Sequence, residues 1–292
     1  MSVTNFRMDA GSGPTPPKVT FQSLQQKKQA RQPITSLTAY DYATARMVDE
    51  AGVDLILVGD SLAMVVMGYD TTLPVTVDEM LHHTRAVRRA VKRAIVAADM
   101  PFGSYHGSVN EGVANAVRFV KEAGAEAVKI EGGAVRCELV ERLVAAEIPV
   151  IGHLGLTPQS IHRMGGYKVQ GKTQSAAEEL VRDARMIEAA GASAIVLEGI
   201  PRELAAQITS ELRILTIGIG AGPDCDGQIL VFHDLVNLSF APPPKFVRQY
   251  GDAAALFRSA IEGYVRDVEE RAFPSDAESY HSQAANVESR RS

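Results

Sequence analysis

Acidic side chains close several of the short apolar runs in this chain, and one lysine and one histidine keep them company. Asp60-Ser61 ends one run, Asp99 the next, Lys129-Ile130-Glu131 the next, and His153 and Glu198 end the two that follow. A carboxylate at the end of a buried strand costs several kcal/mol unless it is paired or holds a metal. Three or four carboxylates without thiolates, and with one histidine at most, suit a hard cation such as Mg²⁺ over zinc. Mg²⁺ takes only one or two protein carboxylates directly, and its open positions suit a bidentate 2-keto acid. An acid chelated through its carboxylate and keto oxygens loses the adjacent proton to a carboxylate base, and the cation stabilises the enolate. The residues alone reach metal-assisted enolate chemistry and no particular substrate. Two other acids, Asp41 and Asp234, read instead as helix N-caps.

The runs that position these groups are 35–40, 54–59, 95–99, 127–131, 149–153, 194–198, 215–219 and 229–233, each rich in Val, Ile, Leu or Ala. Such runs fit strands covered on both faces. Helical patterns at 42–51, 77–93, 110–123, 135–147, 174–190 and 202–211 separate most of them. Thr76-Val77-Asp78-Glu79 fits a capping box, and Gly52, Gly124 and Gly191 follow helices where a terminating glycine belongs. Eight such strands in about 230 residues fit a single-domain α/β fold, the (β/α)8 TIM barrel. A doubly wound sheet would bring a glycine-rich loop after the first strand, and Thr38-Ala39-Tyr40-Asp41 has no glycine. The barrel is expected over 19–272, with a flexible segment at 1–18 and a polar tail at 273–292. Catalytic groups of a barrel gather at the carboxy-terminal ends of its strands. Strand parity then turns Lys129 and Glu131 into the mouth and Val128 and Ile130 outward, with Ala97 beneath Asp99 and Val196 beneath Glu198.

Composition narrows the class further. In 292 residues, 46% hydrophobic and 22% charged is a globular balance. A net charge of −5 gives no reason to expect nucleic acid. The bases Arg85, Arg88, Arg89, Lys92 and Arg93 share one helical pattern and read as a solvated or subunit-contact face. Two cysteines, Cys137 and Cys225, make neither a disulfide framework nor a thiolate zinc site, which fits a reducing cytoplasm. No apolar stretch nears the roughly 20 residues that span a bilayer, and the amino-terminal stretch lacks the apolar core of a secretory signal.

Thr38-Ala39-Tyr40-Asp41, Val58-Gly59-Asp60-Ser61-Leu62, the 72–76 stretch, Ala98-Asp99-Met100-Pro101-Phe102, Val128-Lys129-Ile130-Glu131-Gly132-Gly133, the 152–159 and 165–171 stretches and the 217–222 glycine loop come in one colinear order. In them the chain resembles the ketopantoate hydroxymethyltransferase family across about 18–270. The resemblance implies transfer of a one-carbon hydroxymethyl unit from 5,10-methylenetetrahydrofolate to 3-methyl-2-oxobutanoate. The product would be 2-dehydropantoate, for pantothenate and coenzyme A biosynthesis. It also implies Asp60 and Asp99 as direct Mg²⁺ ligands with Glu131 in the metal's shell, and Ser61, Lys129 and His153 around the keto acid. Glu198 would be the base at C3, and family members are typically homodecamers. A barrel of the phosphoenolpyruvate mutase and isocitrate lyase type stays open as an alternative. Such lyases often use a cysteine on a mobile loop, and neither Cys137 nor Cys225 sits in an obvious lid. A catalytically silent barrel has no need of buried charge at Asp60, Asp99, Lys129 and Glu198.

Overall fold

The computed structural model describes residues 17–282. Eight strands, β1 (Ile34–Thr38), β2 (Leu55–Val58), β3 (Ile95–Asp99), β4 (Ala127–Glu131), β5 (Val150–Gly155), β6 (Ala194–Glu198), β7 (Leu215–Ile219) and β8 (Gly227–Leu230), pair in parallel and in sequence order into a closed barrel. β8 returns to pair with β1, so the sheet has no open edge.

Helices connect the strands and flank them in the chain. α1 (Phe21–Gln29) precedes β1, and α2 (Tyr42–Glu50) follows it; α3 (Leu62–Val65) and α4 (Val77–Ala90) follow β2. α5 (Val109–Ala123), α6 (Cys137–Ala145), α7 (Ile161–Met164), α8 (Gln174–Ala189) and α9 (Arg202–Glu211) fill the connections from β3 to β7, and α10 (Phe232–Leu235) and α11 (Ala253–Glu269) follow β8. The expected capping box at Thr76 is present, with Glu79 reaching back to the Thr76 N–H at 2.8 Å. Gly124 ends α5 at φ 73°, a left-handed position that costs a glycine nothing.

Two cores result from strand parity. Inside the barrel Ile34, Leu55, Leu57, Ile95, Ala97, Ala127, Ile151, Ala194, Val196, Leu215, Ile217 and Ile229 fill the cylinder. Between barrel and helices pack the alternate residues, Ile56, Val58, Val96, Val128, Ile130, Ile195 and Leu197 among them. Ala97 and Val196 therefore lie in the inner core below Asp99 and Glu198, as their parity requires. At the opposite end, Leu24 of α1 joins the inner core beside Ile34. Asp54 there pairs with Lys27 at 2.6 Å and Arg93 at 3.0 Å, which offsets its burial. Arg93 of the basic cluster is thus a structural partner of the barrel, while Arg85 pairs with Glu122 on the surface at 2.8 Å.

Several expectations are corrected. β8 begins at Gly227 and ends at Leu230, so His233 and Asp234 fall in α10 and not at a strand end. Gly227-Gln228 has the look of a turn, but β1 approaches so closely there that a side chain at 227 would strike the Ile34 carbonyl. Asp41 is an N-cap, accepting from the Thr44 N–H at 2.9 Å. Asp234, inside α10, is not. Lys18 is anchored, donating to the Ala94 carbonyl at 2.6 Å and pairing with Glu126 at 2.8 Å. Residues 1–16 and 283–292, the rest of the expected flexible segment and much of the expected tail, lie outside the described residues.

The chain divides into two compact units, one reaching to Phe232 and including Pro243–Val247, the other formed by His233–Pro242 and the residues from Arg248 onward. The barrel lies within the first. In the second, Asp252 caps α11, and none of that helix's residues is buried; Leu256, Phe257, Ile261 and Tyr264 are all exposed.

Candidate active site at the carboxy-terminal mouth of the barrel

The polar strand ends converge. Thr38, Asp60, Ser61, Asp99, Lys129, Glu131, His153 and Glu198 line one cavity of about 100 Å³ at the barrel mouth, floored by Leu57, Val196 and Ile229. All seven residues singled out from the sequence are in this set. Asp60, Asp99, Lys129, Glu131 and His153 are each 5% exposed or less, and Glu198 is half-buried at the rim.

The strands place them in sequence. Asp99 ends β3 and its Oδ2 accepts the Asp60 N–H at 3.0 Å, which ties the turn after β2 to β3. One residue along the register, Lys129 on β4 is the Cα partner of Asp99, and its Nζ lies 2.8 Å from Asp99 Oδ1 and 3.9 Å from Glu131 Oε1. Glu131 is in turn the Cα partner of His153 on β5. His153 Nδ1 stands 3.2 Å from Glu131 Oε1, and its Nε2 is 3.1 Å from Glu198 Oε2 on β6. A chain of charge thus runs round the mouth from Asp60 to Glu198. Ser61 lies beside it, its hydroxyl 2.8 Å from that of Tyr40.

Glu198 depends on a glycine. Gly155, at φ 92°, lies where any β-carbon would collide with the Glu198 carbonyl. The same carbonyl accepts the Leu156 N–H at 2.8 Å. β5 and β6 can approach this closely only because residue 155 has no side chain.

The electrostatics follow from four carboxylates facing one lysine. Burial, then the charges of Asp99 and Glu131, hold the Asp60 carboxyl well above its ordinary pKa, against Lys129 and a bond from Gln159. Burial also raises Asp99, with Lys129 opposing. Glu131 is lowered: burial would raise it, but His153, Lys129 and the Gln159 N–H outweigh that. Lys129 is raised because Asp99, Glu131 and Asp60 overcome its desolvation. His153 is pushed up to about 9, since the bonds to Glu131 and Glu198 overcome burial and the neighbouring Lys129. Lys129 and His153 are outnumbered two to one by the four carboxylates of Asp60, Asp99, Glu131 and Glu198. Oxygen donors in that imbalance fit a divalent cation.

Among the described residues no three His, Cys, Asp or Glu side chains are gathered as a ready-made metal cage. Lys129 Nζ stands 2.8 Å from Asp99 Oδ1, and Mg²⁺ takes only one or two protein carboxylates directly.

Sequence reasoning missed three residues at this mouth. Gln159, in the turn after β5, donates to Asp60 Oδ2 at 2.9 Å. Tyr105, in the segment after β3, accepts the Glu131 N–H at 3.0 Å. Tyr167, beyond α7, donates to the Met64 sulfur at 3.5 Å, and after burial its raised pKa reflects the charges of Asp60, Glu198 and Glu131. None ends a strand, and strand ends were the only positional signal available.

The family model and the sequence relatives agree on one family. The family model described as ketopantoate hydroxymethyltransferase matches residues 18–276. The chain is 63% identical over 274 residues to the 3-methyl-2-oxobutanoate hydroxymethyltransferase of Koribacter versatilis, covering 94% of this chain and 93% of that one. It is 54% identical to the enzyme of the same name from Geobacter metallireducens, over 90% of this chain and 98% of that one. Among solved structures, 2,3-dimethylmalate lyase, a member of the phosphoenolpyruvate mutase and isocitrate lyase superfamily, superposes with a TM-score of 0.58 at 20% identity. The superposition covers 95% of this chain and all of that one. At that identity the likeness is one of fold.

Proposed function

Since the chain belongs to the ketopantoate hydroxymethyltransferase family, we propose that it transfers a hydroxymethyl unit to 3-methyl-2-oxobutanoate, with 5,10-methylenetetrahydrofolate as donor and Mg²⁺ as cofactor. The product, 2-dehydropantoate, would serve pantothenate and coenzyme A synthesis. The observation that carries the reading is the single cavity in which Asp60, Asp99, Lys129, Glu131, His153 and Glu198 meet.

Asp60 and Asp99 would hold the cation, with Glu131 in its shell through water. When bound, that cation would supply a Lewis acid for the keto oxygen and the carboxylate of the substrate. Lys129, locked between Asp99 and Glu131, presents a fixed positive charge where the substrate's negative charge grows. His153 reaches the same space and bridges Glu131 to Glu198. Ser61 would position the acid, with its hydroxyl oriented by Tyr40. Glu198, the rim carboxylate without a lysine partner, would remove the C3 proton. The resulting C3 carbanion forms a bond to the donor's methylene carbon, both C–N bonds from that carbon to folate break, water supplies the hydroxyl, and the C3 proton and the remaining proton of water end on the two freed nitrogens. The apolar floor of Leu57, Val196 and Ile229 would receive the two methyl groups at C3.

The exposed apolar residues of α11 are surface of the kind that chains bury against one another, and this supports a homo-oligomer, for which the resemblance implies a decamer. No described helix is long and apolar enough to cross a membrane, and the two cysteines are free; the cytoplasm is the location that fits. Turnover of 3-methyl-2-oxobutanoate with methylenetetrahydrofolate, followed by appearance of 2-dehydropantoate, tests the reading. Activity should vanish on chelation and return with Mg²⁺. Full activity after exhaustive chelation would overturn the metal, and no product with Mg²⁺ and folate would overturn the reaction.

A further inference from the structure

Two buried residues that end no strand, Tyr105 and Gln159, connect Asp60 after β2 to Glu131 on β4 through a closed circuit of hydrogen bonds. The Gln159 amide nitrogen donates to Asp60 Oδ2 at 2.9 Å and to the Met100 carbonyl at 3.0 Å. Its amide oxygen accepts from the Tyr105 hydroxyl at 2.6 Å. The Tyr105 oxygen accepts the Glu131 N–H at 3.0 Å, and the Gln159 N–H closes the loop on Glu131 Oε2, also at 3.0 Å. Gln159 is 5% exposed and Tyr105 3%.

Each proton in this circuit has one place. Shape alone allows an amide to sit either way round, but the Met100 carbonyl can only accept, so the nitrogen must face it. The amide oxygen is then left toward Tyr105. Because the Tyr105 oxygen already receives a main-chain N–H, its own hydrogen goes to Gln159. A flip of the amide would set oxygen against the Asp60 carboxylate and the Met100 carbonyl together, two repulsions in a water-poor site. The Met100 carbonyl and Asp60 thus set which way round Gln159 lies, and the Tyr105 hydroxyl holds its amide oxygen there.

We propose that Gln159, its amide oxygen held by Tyr105, is a positioning residue for cation binding: its side chain engages one oxygen of Asp60 and its main-chain N–H one of Glu131, and so it fixes how both carboxylates present themselves. The proposal rests on the metal reading above. Its consequence is selective. Removing the circuit should weaken the cation's hold, while the groups that touch the substrate stay in place.

The test uses the full-length chain and Mn²⁺, whose free aqueous form is counted by electron paramagnetic resonance. Tyr105→Phe deletes one oxygen and keeps the ring; Gln159→Met keeps the length and deletes the side-chain amide, so the bonds to Asp60, Met100 and Tyr105 go while the main-chain N–H to Glu131 stays. Each should weaken Mn²⁺ binding by about 10- to 100-fold, the usual effect of losing an outer partner of a metal ligand. At saturating metal, kcat should stay within about threefold of the parent. Should Gln159→Met fail to fold, Tyr105→Phe carries the test alone. Unchanged Mn²⁺ affinity with a lowered melting temperature would make the circuit merely structural and overturn the proposal. Tight binding by the parent beside unshifted variants removes only the positioning role. No Mn²⁺ binding by the parent removes the metal reading, and this proposal with it.

Discussion

Lys129 is the ammonium that faces the acids of the mouth, so replacing it by methionine tests how the cluster is held. The side chain is 6% exposed and lies 2.8 Å from Asp99, itself 3% exposed, and 3.9 Å from Glu131. Removing one partner of a buried pair costs roughly 3–5 kcal/mol, because the remaining charge is left uncompensated. For a chain of this size that corresponds to a melting temperature lower by roughly 6–20 °C. The loss should depend on pH. Asp60 and Asp99 already have raised pKa values in the parent, and without Lys129 they rise further. The folded variant then takes up protons before the unfolded chain does, so it regains stability on acidification, and its deficit is larger at pH 8 than at pH 5. Mg²⁺ should narrow the deficit as well, since a cation bound only to the folded form stabilises it by mass action. Differential scanning fluorimetry across pH, with and without Mg²⁺, reads all three effects. A variant within about 2 °C of the parent at pH 8 in chelator would show that Lys129 is not what offsets the acids.

Two further expectations use the same geometry. His153, pushed up to about 9 from an ordinary 6.5, contributes stability that is fully present below about pH 6.5 and lost as pH rises through about 9. That contribution is on the order of 3 kcal/mol in metal-free protein, and denaturant titrations at several pH values should show the decline in the parent and its absence in His153→Gln. Gly155→Ala puts a methyl group against the Glu198 carbonyl at a left-handed backbone position; it should cost at least about 2 kcal/mol and lower kcat, and a parent-like melting temperature and rate would show that β5 and β6 do not need that approach.

The barrel was legible because periodicity and parity repeat. Buried parallel strands read as apolar runs, helices declare themselves through caps such as Thr76 and Gly124, and alternation alone put Lys129 and Glu131 inside with Val128 and Ile130 outside. The acids of the mouth were legible for the related reason that a charge at the end of an apolar strand has few structural uses. What stayed hidden depends on contacts distant in sequence. β8 was misplaced because Gly227 looks like a turn until β1 is seen to press against it. Asp234 has the type of an N-cap but lies inside a helical turn. Gln159 and Tyr105 sit in connecting segments, 99 and 45 positions from Asp60, and their polar groups gain meaning only when the strands bring those segments over the mouth.

The account stands on Glu198 as the base beside a keto acid held at the acidic mouth. The most direct test is exchange of the C3 proton of 3-methyl-2-oxobutanoate in D₂O without folate, followed by nuclear magnetic resonance. The parent chain should exchange that proton with Mg²⁺ present and not with chelator, and Glu198→Gln should lose exchange by at least about 100-fold while still binding Mn²⁺. Exchange by Glu198→Gln at the parent's rate, or none by the parent with Mg²⁺ supplied, would contradict it.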